Sequence, residues 1–315
     1  DEASTFRELF PYYSRIDQTG DILLQTIALF DGKDTRKASL PKLITAENYN
    51  KYATDCAELL QESAEFISDR IGLGLSSSSE LLTYPVIFTP LAYVWDKLKK
   101  SNLNVPDEAA AKHKIVRWFV GSVLSRRYQQ STHDKQARDK NDIWRWIEHG
   151  DSEQPNWLTE TYISNIRTAD PDGAIGKLFR TILNNKAPKD PIKGTRVGVG
   201  VGTYPSAKHH IFPTRWVHHL DGWDKTIDTA NLALNIMYVE EDTNGSWLNC
   251  DPRDQILNSM QVLRSEEQSR EIYLSHGITT TAYNILLKPA KTKQDFIDFI
   301  AEREAWFAGQ LEHYG

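Results

Sequence analysis

The chain has 315 residues, of which 25% are charged and 40% hydrophobic, and a net charge of −6. That length supports one large domain or two ordinary ones with cores of their own, and the acidic balance argues against a generic nucleic-acid-coating protein. The longest apolar run, YPVIFTPLAYVW, falls short of the roughly 20 residues a bilayer helix needs and carries two prolines. Only two cysteines occur, Cys56 and Cys250, which argues against a disulfide framework and excludes a four-cysteine zinc knuckle. The opening DEASTFRELF lacks the basic-then-apolar pattern of a signal peptide. The expectation is a cytoplasmic protein that does not enter a membrane.

In chain order, the first strong signal is a helix over 46–71. Tyr52, Cys56, Leu59, Leu60, Ser63 and Ile67 recur at three- and four-residue steps, with Thr45 as N-cap and Gly72 as stop. GLSSSSE reads as a loop. A second stripe runs through Ile87, Leu91, Val94, Trp95 and Leu98, with Pro85 and Pro90 near its start, where proline is tolerated. Asp107 is placed to cap a third helix carrying Ile115, Val116, Phe119, Val120 and Val123. After the break in RRYQQSTHDK, a fourth carries Ile143, Trp144 and Ile147. These stripes read as core.

From about residue 186 the texture changes. NNKAPKDPIKGTRVGVGVGTYPS, starting at Asn184, reads as a long connection with one extended piece, RVGVGVG, alternating with period two. Its glycines follow G-x-G-x-G with a proline soon after, unlike a dinucleotide-binding or Walker loop. ANLALNIMYVEED is a second strand candidate. The last third returns to helix, with Phe296, Ile297, Ile300 and Trp306 at helical spacing. The fold class expected is mainly α (α+β).

The net charge hides two basic blocks. Residues 112–140 hold eight Lys or Arg against two Asp, and residues 186–225 hold seven against three. Such stripes are the footprint of phosphate contact, although the first is expected to be a solvated helix face. The second contains AKHHIFPTRW, residues 207–216. Histidine titrates near neutrality, so it can take a proton from water and return it. Adjacent histidines in a strand point to opposite faces and have different jobs. One can meet a metal or phosphate while the other faces the nucleophile, or one is packed inside. His218 and His219 read as loop surface, and His113, His133 and His276 as structural.

The surrounding residues carry a resemblance. KHHIFPTRW, DTANLAL, EEDTN and DPRDQI resemble the HNH (His-Me finger) nuclease module in the C-terminal region of GmrSD-type restriction endonucleases. LLTYPVIFTPLAYVW and KIVRWFVGSVLSRRYQQSTHDKQARD resemble the helical region that precedes this module, and EIYLSHGITTTAYNILL and FIDFIAEREAWF its closing helices. The likeness therefore runs over most of the chain. It implies a helical domain over 1–185, a ββα HNH finger over 186–250, and closing helices over 251–315 packing on the finger.

The same resemblance implies roles. His210, which precedes Ile-x-Pro, matches the general base that deprotonates the attacking water. His209 occupies the position of a metal ligand. Asn231 matches the asparagine of the second strand, which holds the loop and orients the base. Asn244 matches the residue that opens the finger helix and ligates the metal. One divalent ion, Mg²⁺ with Mn²⁺ as its substitute, would contact the scissile phosphate and stabilise the leaving 3′ oxygen. Lys208, Arg215 and, in the same basic block, Arg196 would meet DNA phosphates.

Alternatives stay open at the third position. Asn244 is followed by Gly245 and Ser246, where the family often has a basic residue, and DTNG also reads as a turn. Asn235, Asp228 and Asp242 are rival ligands. The ParB-like nucleotide-hydrolysing domain that usually begins GmrSD-type proteins, with its Asp-Gly-Gln-Gln-Arg motif, does not occur in this sequence. Sensing of modified DNA and control by NTP would fall to a missing N-terminal domain or a partner protein, as in phosphorothioate-linked antiphage systems. The expected function is a metal-dependent HNH endonuclease that nicks or cleaves DNA in antiphage restriction. A single finger cuts one strand, so a double-strand break calls for a homo-oligomer or two events. Rival expectations are a catalytically silent nucleic-acid-binding or regulatory module, and an RNase.

Overall fold

The computed structural model of the chain describes residues 2–159, 166–199 and 206–314. Contacts divide the chain into two units, 1–162 with 314–315, and 163–313.

The first unit is a succession of helices: α1 (Glu2–Leu9), α2 (Pro11–Ile16), α3 (Asp21–Phe30), α4 (Leu40–Leu43), α5 (Ala46–Ile71), α6 (Phe88–Lys100), α7 (Val105–Leu124), α8 (Thr132–His149) and α9 (Asn156–Thr159). Cys56, Leu60, Ala64, Ile67 and Ile71 are fully buried along one face of α5, which packs against α2, α3 and α6. Its ends are fixed by a capping box between Thr45 and Asn48 and by Gly72 in the left-handed conformation, φ 85°. α7 begins earlier than expected. Asn104, not Asp107, is its N-cap, its side chain accepting from the Asp107 amide. Pro106 accounts for the shift, because proline is favoured in a helix's first turn and not before it.

The cations of 112–140 are largely spent on internal ties rather than on a bare solvated face. Lys112 pairs with Glu108, Lys114 donates to the Trp146 carbonyl, and Lys140 to the Leu29 carbonyl. Arg127 grips the buried Asp139 through two nitrogens, and Asp139 also accepts from Tyr128 Oη at 2.6 Å.

The second unit holds α10 (Ala174–Asn185), β1 (Ala207–His210), β2 (Ile236–Val239), α11 (Glu241–Trp247), α12 (Pro252–Leu263), α13 (Glu266–Ser275), α14 (Thr280–Leu287) and α15 (Lys293–Glu312). Residues 174–185, grouped by sequence with the helical domain, belong here. Phe179 of α10 meets Phe307 edge-on at 5.2 Å, and buried Arg180 donates to the Val199 carbonyl at 2.9 Å. The two strands pair antiparallel, with His209 opposite Met237 and His210 opposite Ile236. Every residue of β2 is buried. α11 contacts β1, while α10 and α15 contact the 3₁₀ turn Ala233–Asn235 that feeds β2.

Two extended segments are shorter than their patterns suggest. The described part of RVGVGVG forms a single bridge, Arg196 with Lys189, and the rest lies outside the described residues. ANLALNIMYVEED is strand only over 236–239, and DTNG lies inside α11, not in a hairpin turn. The core beneath the ribbon is aromatic: Phe212 meets Phe299 at 5.2 Å and Phe296 at 5.3 Å. Arg303 is fully buried there and donates to the carbonyls of Leu234, Ile236 and His276. Burial lowers its pKa to about 9, so it remains a cation at neutral pH. Among the described residues, no helix is long and apolar enough to cross a membrane.

Candidate functional site

β1 turns its two histidines to opposite sides, as the two-residue period of a strand requires. His209 is 2% exposed and His210 half-buried. The His209 ring lies between α11 and α12. Its Nδ1 is 2.9 Å from Asn244 Oδ1, its Nε2 is 3.1 Å from Gln255 Oε1, and Trp247 stands edge-on at 5.5 Å. Burial lowers its pKa below the ordinary histidine value, partly offset by the Asn244 and Gln255 oxygens, which favour the charged ring. His210 faces the loop that joins the strands. Its Nε2 lies 3.2 Å from Asn231 Oδ1; with that oxygen accepting, Nε2 carries the proton and Nδ1 is the basic nitrogen. Burial again lowers the pKa. Near neutrality the ring is therefore unprotonated at Nδ1, the state a general base needs.

Asn231 lies in the loop before β2, not on the strand. Its expected tasks are divided between two residues. Asn231 contacts the His210 ring, whereas Asn235 holds the loop. Asn235 is fully buried, accepts from the Phe212 amide at 3.0 Å, and donates to the carbonyls of Phe212 and Ala230 at 2.9 Å each. The rival ligands have other partners. Asp228 pairs with Lys293 at 2.7 Å, and exposed Asp242 pairs with Lys193 at 3.1 Å. Asn244, one turn into α11, is the side chain beside His209.

α11 stands where it does because of Asp190, which the sequence did not single out. This buried carboxylate accepts from the amides of Ile192 and Lys193 at 2.9 Å, from Thr243 Oγ1 at 3.0 Å, and from the Glu240 amide at 2.8 Å. It ties the 190–195 loop to the N-terminus of α11, where a negative charge also meets the positive end of the helix dipole. That anchor overrides the local Asn-Gly turn preference. Gln255 was also missed as a site residue, although DPRDQI contains it. An isolated amide in a helix pattern gives no signal of its partner 46 residues away.

The basic residues are less available than their sequence suggests. Lys208 is paired with Asp172, which also lies 3.6 Å from Arg180. Contact with Lys208 is the main cause holding the Asp172 carboxyl below the usual carboxylate range. Arg215 and Arg196 are exposed.

Mg²⁺ takes few protein ligands and keeps several waters. Among the described residues, no cluster of three His, Cys, Asp or Glu side chains converges on a metal-sized site. The pair present is one imidazole nitrogen and one amide oxygen. Their 2.9 Å separation is an ordinary hydrogen-bond length and is also close to the edge of about 3.0 Å between neighbouring ligands on an octahedral ion with bonds of about 2.1 Å. The donors fit a cation that completes its shell with water and substrate oxygens.

No family model matches the chain. It is 24% identical to an uncharacterized protein of Methanocaldococcus jannaschii, over 90% of this chain and 50% of that protein. The chain thus spans about half the length of the curated relative it matches.

Proposed function

We propose that the second unit carries a metal-dependent HNH (His-Me finger) endonuclease site that nicks or cleaves DNA. The observation that carries this reading is the division of labour on β1. One histidine is turned to a second ligand-type side chain, Asn244. The other is turned to an asparagine whose Oδ1 accepts a hydrogen bond from Nε2–H and so leaves Nδ1 as the basic nitrogen. The order strand, loop, strand, helix around these residues supports it.

On this reading His210 Nδ1 takes a proton from the attacking water. The water oxygen bonds to phosphorus as the P–O3′ bond breaks, and the leaving 3′ oxygen takes a proton from solvent water, giving a 5′-phosphate and a 3′-hydroxyl. Asn231 fixes the ring so that Nδ1 faces outward, and Asn235 fixes the loop that carries Asn231. His209 and Asn244 would hold a divalent cation, Mg²⁺ or Mn²⁺, which would supply charge stabilisation at the scissile phosphate. Arg215, Arg196 and Lys208 neutralise flanking phosphates, Lys208 once released from Asp172. The resemblance supplies the setting: antiphage restriction, a partner that senses DNA and hydrolyses NTP, and a second copy of the chain for a double-strand break.

Incubation with supercoiled plasmid tests this, with Mg²⁺, with Mn²⁺ and with chelator, beside single-stranded RNA. The expected result is metal-dependent conversion to nicked circles with the RNA intact. A plasmid untouched with every divalent metal supports a silent binding module instead. Preferential loss of the RNA supports an RNase.

A further inference from the structure

We propose that Gln255 is a positioning residue that fixes the tautomer of His209 and so aims an unprotonated nitrogen at the cation seat. The inference rests on the metal-site reading above and adds a residue to it.

Gln255 is 1% exposed. Its Nε2 donates to the carbonyls of Ile211 at 3.3 Å and Cys250 at 3.1 Å. Turning the amide over would press Oε1 against two carbonyl oxygens, so the orientation is set by the hydrogen-bond network. Oε1 therefore faces His209 Nε2 as an acceptor, and that nitrogen must carry the proton. A neutral imidazole has one N–H. Nδ1 is thus left with its lone pair directed at Asn244 Oδ1, 2.9 Å away.

Two lone pairs facing each other at that distance repel unless something positive lies between or beside them. Asn244 can relieve the repulsion by turning its amide to donate. A small cation of the hard divalent class relieves it by taking both atoms as ligands. Histidines that bind metals commonly hold their second nitrogen in this way, and loss of such a partner weakens metal affinity by about 10- to 100-fold. Trp247 packs edge-on against the ring, which is 2% exposed. Gln255 also ties β1 to its surroundings through the Ile211 carbonyl, the first residue after the histidines, so one side chain sets both the strand and the ring it carries.

Long-range ¹⁵N–¹H correlation on the metal-free full chain, with ¹⁵N-histidine labelling, reads the tautomer without any variant. The expected result is His209 protonated at Nε2, with Nδ1 resonating as a bare nitrogen. Calorimetric titration with Mn²⁺ reads the consequence. Gln255→Leu is expected to mix the tautomers and weaken Mn²⁺ binding about 10- to 100-fold, with amide exchange in β2 retained. A wild-type His209 protonated at Nδ1 overturns the proposal, as does a Gln255→Leu protein with unchanged tautomer and unchanged Mn²⁺ affinity. The tautomer with no Mn²⁺ binding at all leaves the Gln255 lock standing and overturns the metal site itself.

Discussion

His276 makes the stability of the second unit fall with acid in a way that one substitution isolates. The ring is fully buried, Nε2 donates to the Lys189 carbonyl at 2.7 Å, and Nδ1 has no partner. Burial lowers its pKa from 6.5 to about 4, against the pull of the Lys189 bond and of Asp190, with Arg303 repelling the charged form as well. Between those two values the unfolded chain takes up a proton that the folded unit refuses. Stability is therefore present above pH 6.5 and is lost as the pH falls toward 4. The loss is roughly 3 kcal/mol by pH 4. His209 and His210 push the same way, since burial lowers both, so a variant is needed for comparison. His276→Gln can still donate to the Lys189 carbonyl and does not titrate. Hydrogen exchange of the β2 amides gives the opening free energy of this unit at each pH. Wild type is expected to lose about 3 kcal/mol more than the variant between pH 7 and pH 4. Parallel curves would refute the claim that the ring is held neutral.

Other consequences follow from the same contacts. Asn235→Ala removes three buried hydrogen bonds and should cost about 2–4 kcal/mol, whereas Asn231→Ala at the exposed loop should stay within about 1 kcal/mol. Urea unfolding of both variants checks the division of roles, and equal costs would contradict it. Asp190→Ala strips four donors of a buried charged acceptor and should cost at least about 3 kcal/mol, with β2 and α11 amides exchanging faster. Asp172→Asn frees Lys208 for phosphate. It should raise plasmid-DNA affinity severalfold at low salt and steepen the salt dependence by about one phosphate contact, and an unchanged slope would mean Lys208 does not reach DNA.

The parts of this molecule that were legible in the sequence are those whose causes are local. The α5 stripe, Thr45 and Gly72 lie within a few residues of what they determine, so periodicity and capping rules found them. Opposed faces for His209 and His210 followed from strand geometry alone. What escaped was set at long range. DTNG reads as a turn until Asp190, 53 residues from Thr243, anchors the helix that contains it. Lys208 reads as a free cation until Asp172 folds beside it. Asn235 carried a faint signal, a polar side chain inside LALNIMYV that has to be satisfied if the run is buried, yet without the Phe212 loop opposite it the residue read as a rival ligand. Gln255 had no signal, because an amide's role depends on which atom meets which neighbour.

The most direct test of the account is the plasmid-nicking rate of His210→Ala against wild type in Mg²⁺, with DNA occupancy matched by fluorescence anisotropy. The account predicts a loss of about a hundred- to ten-thousand-fold in rate with DNA affinity unchanged. A His210→Ala protein that nicks at the wild-type rate would contradict it.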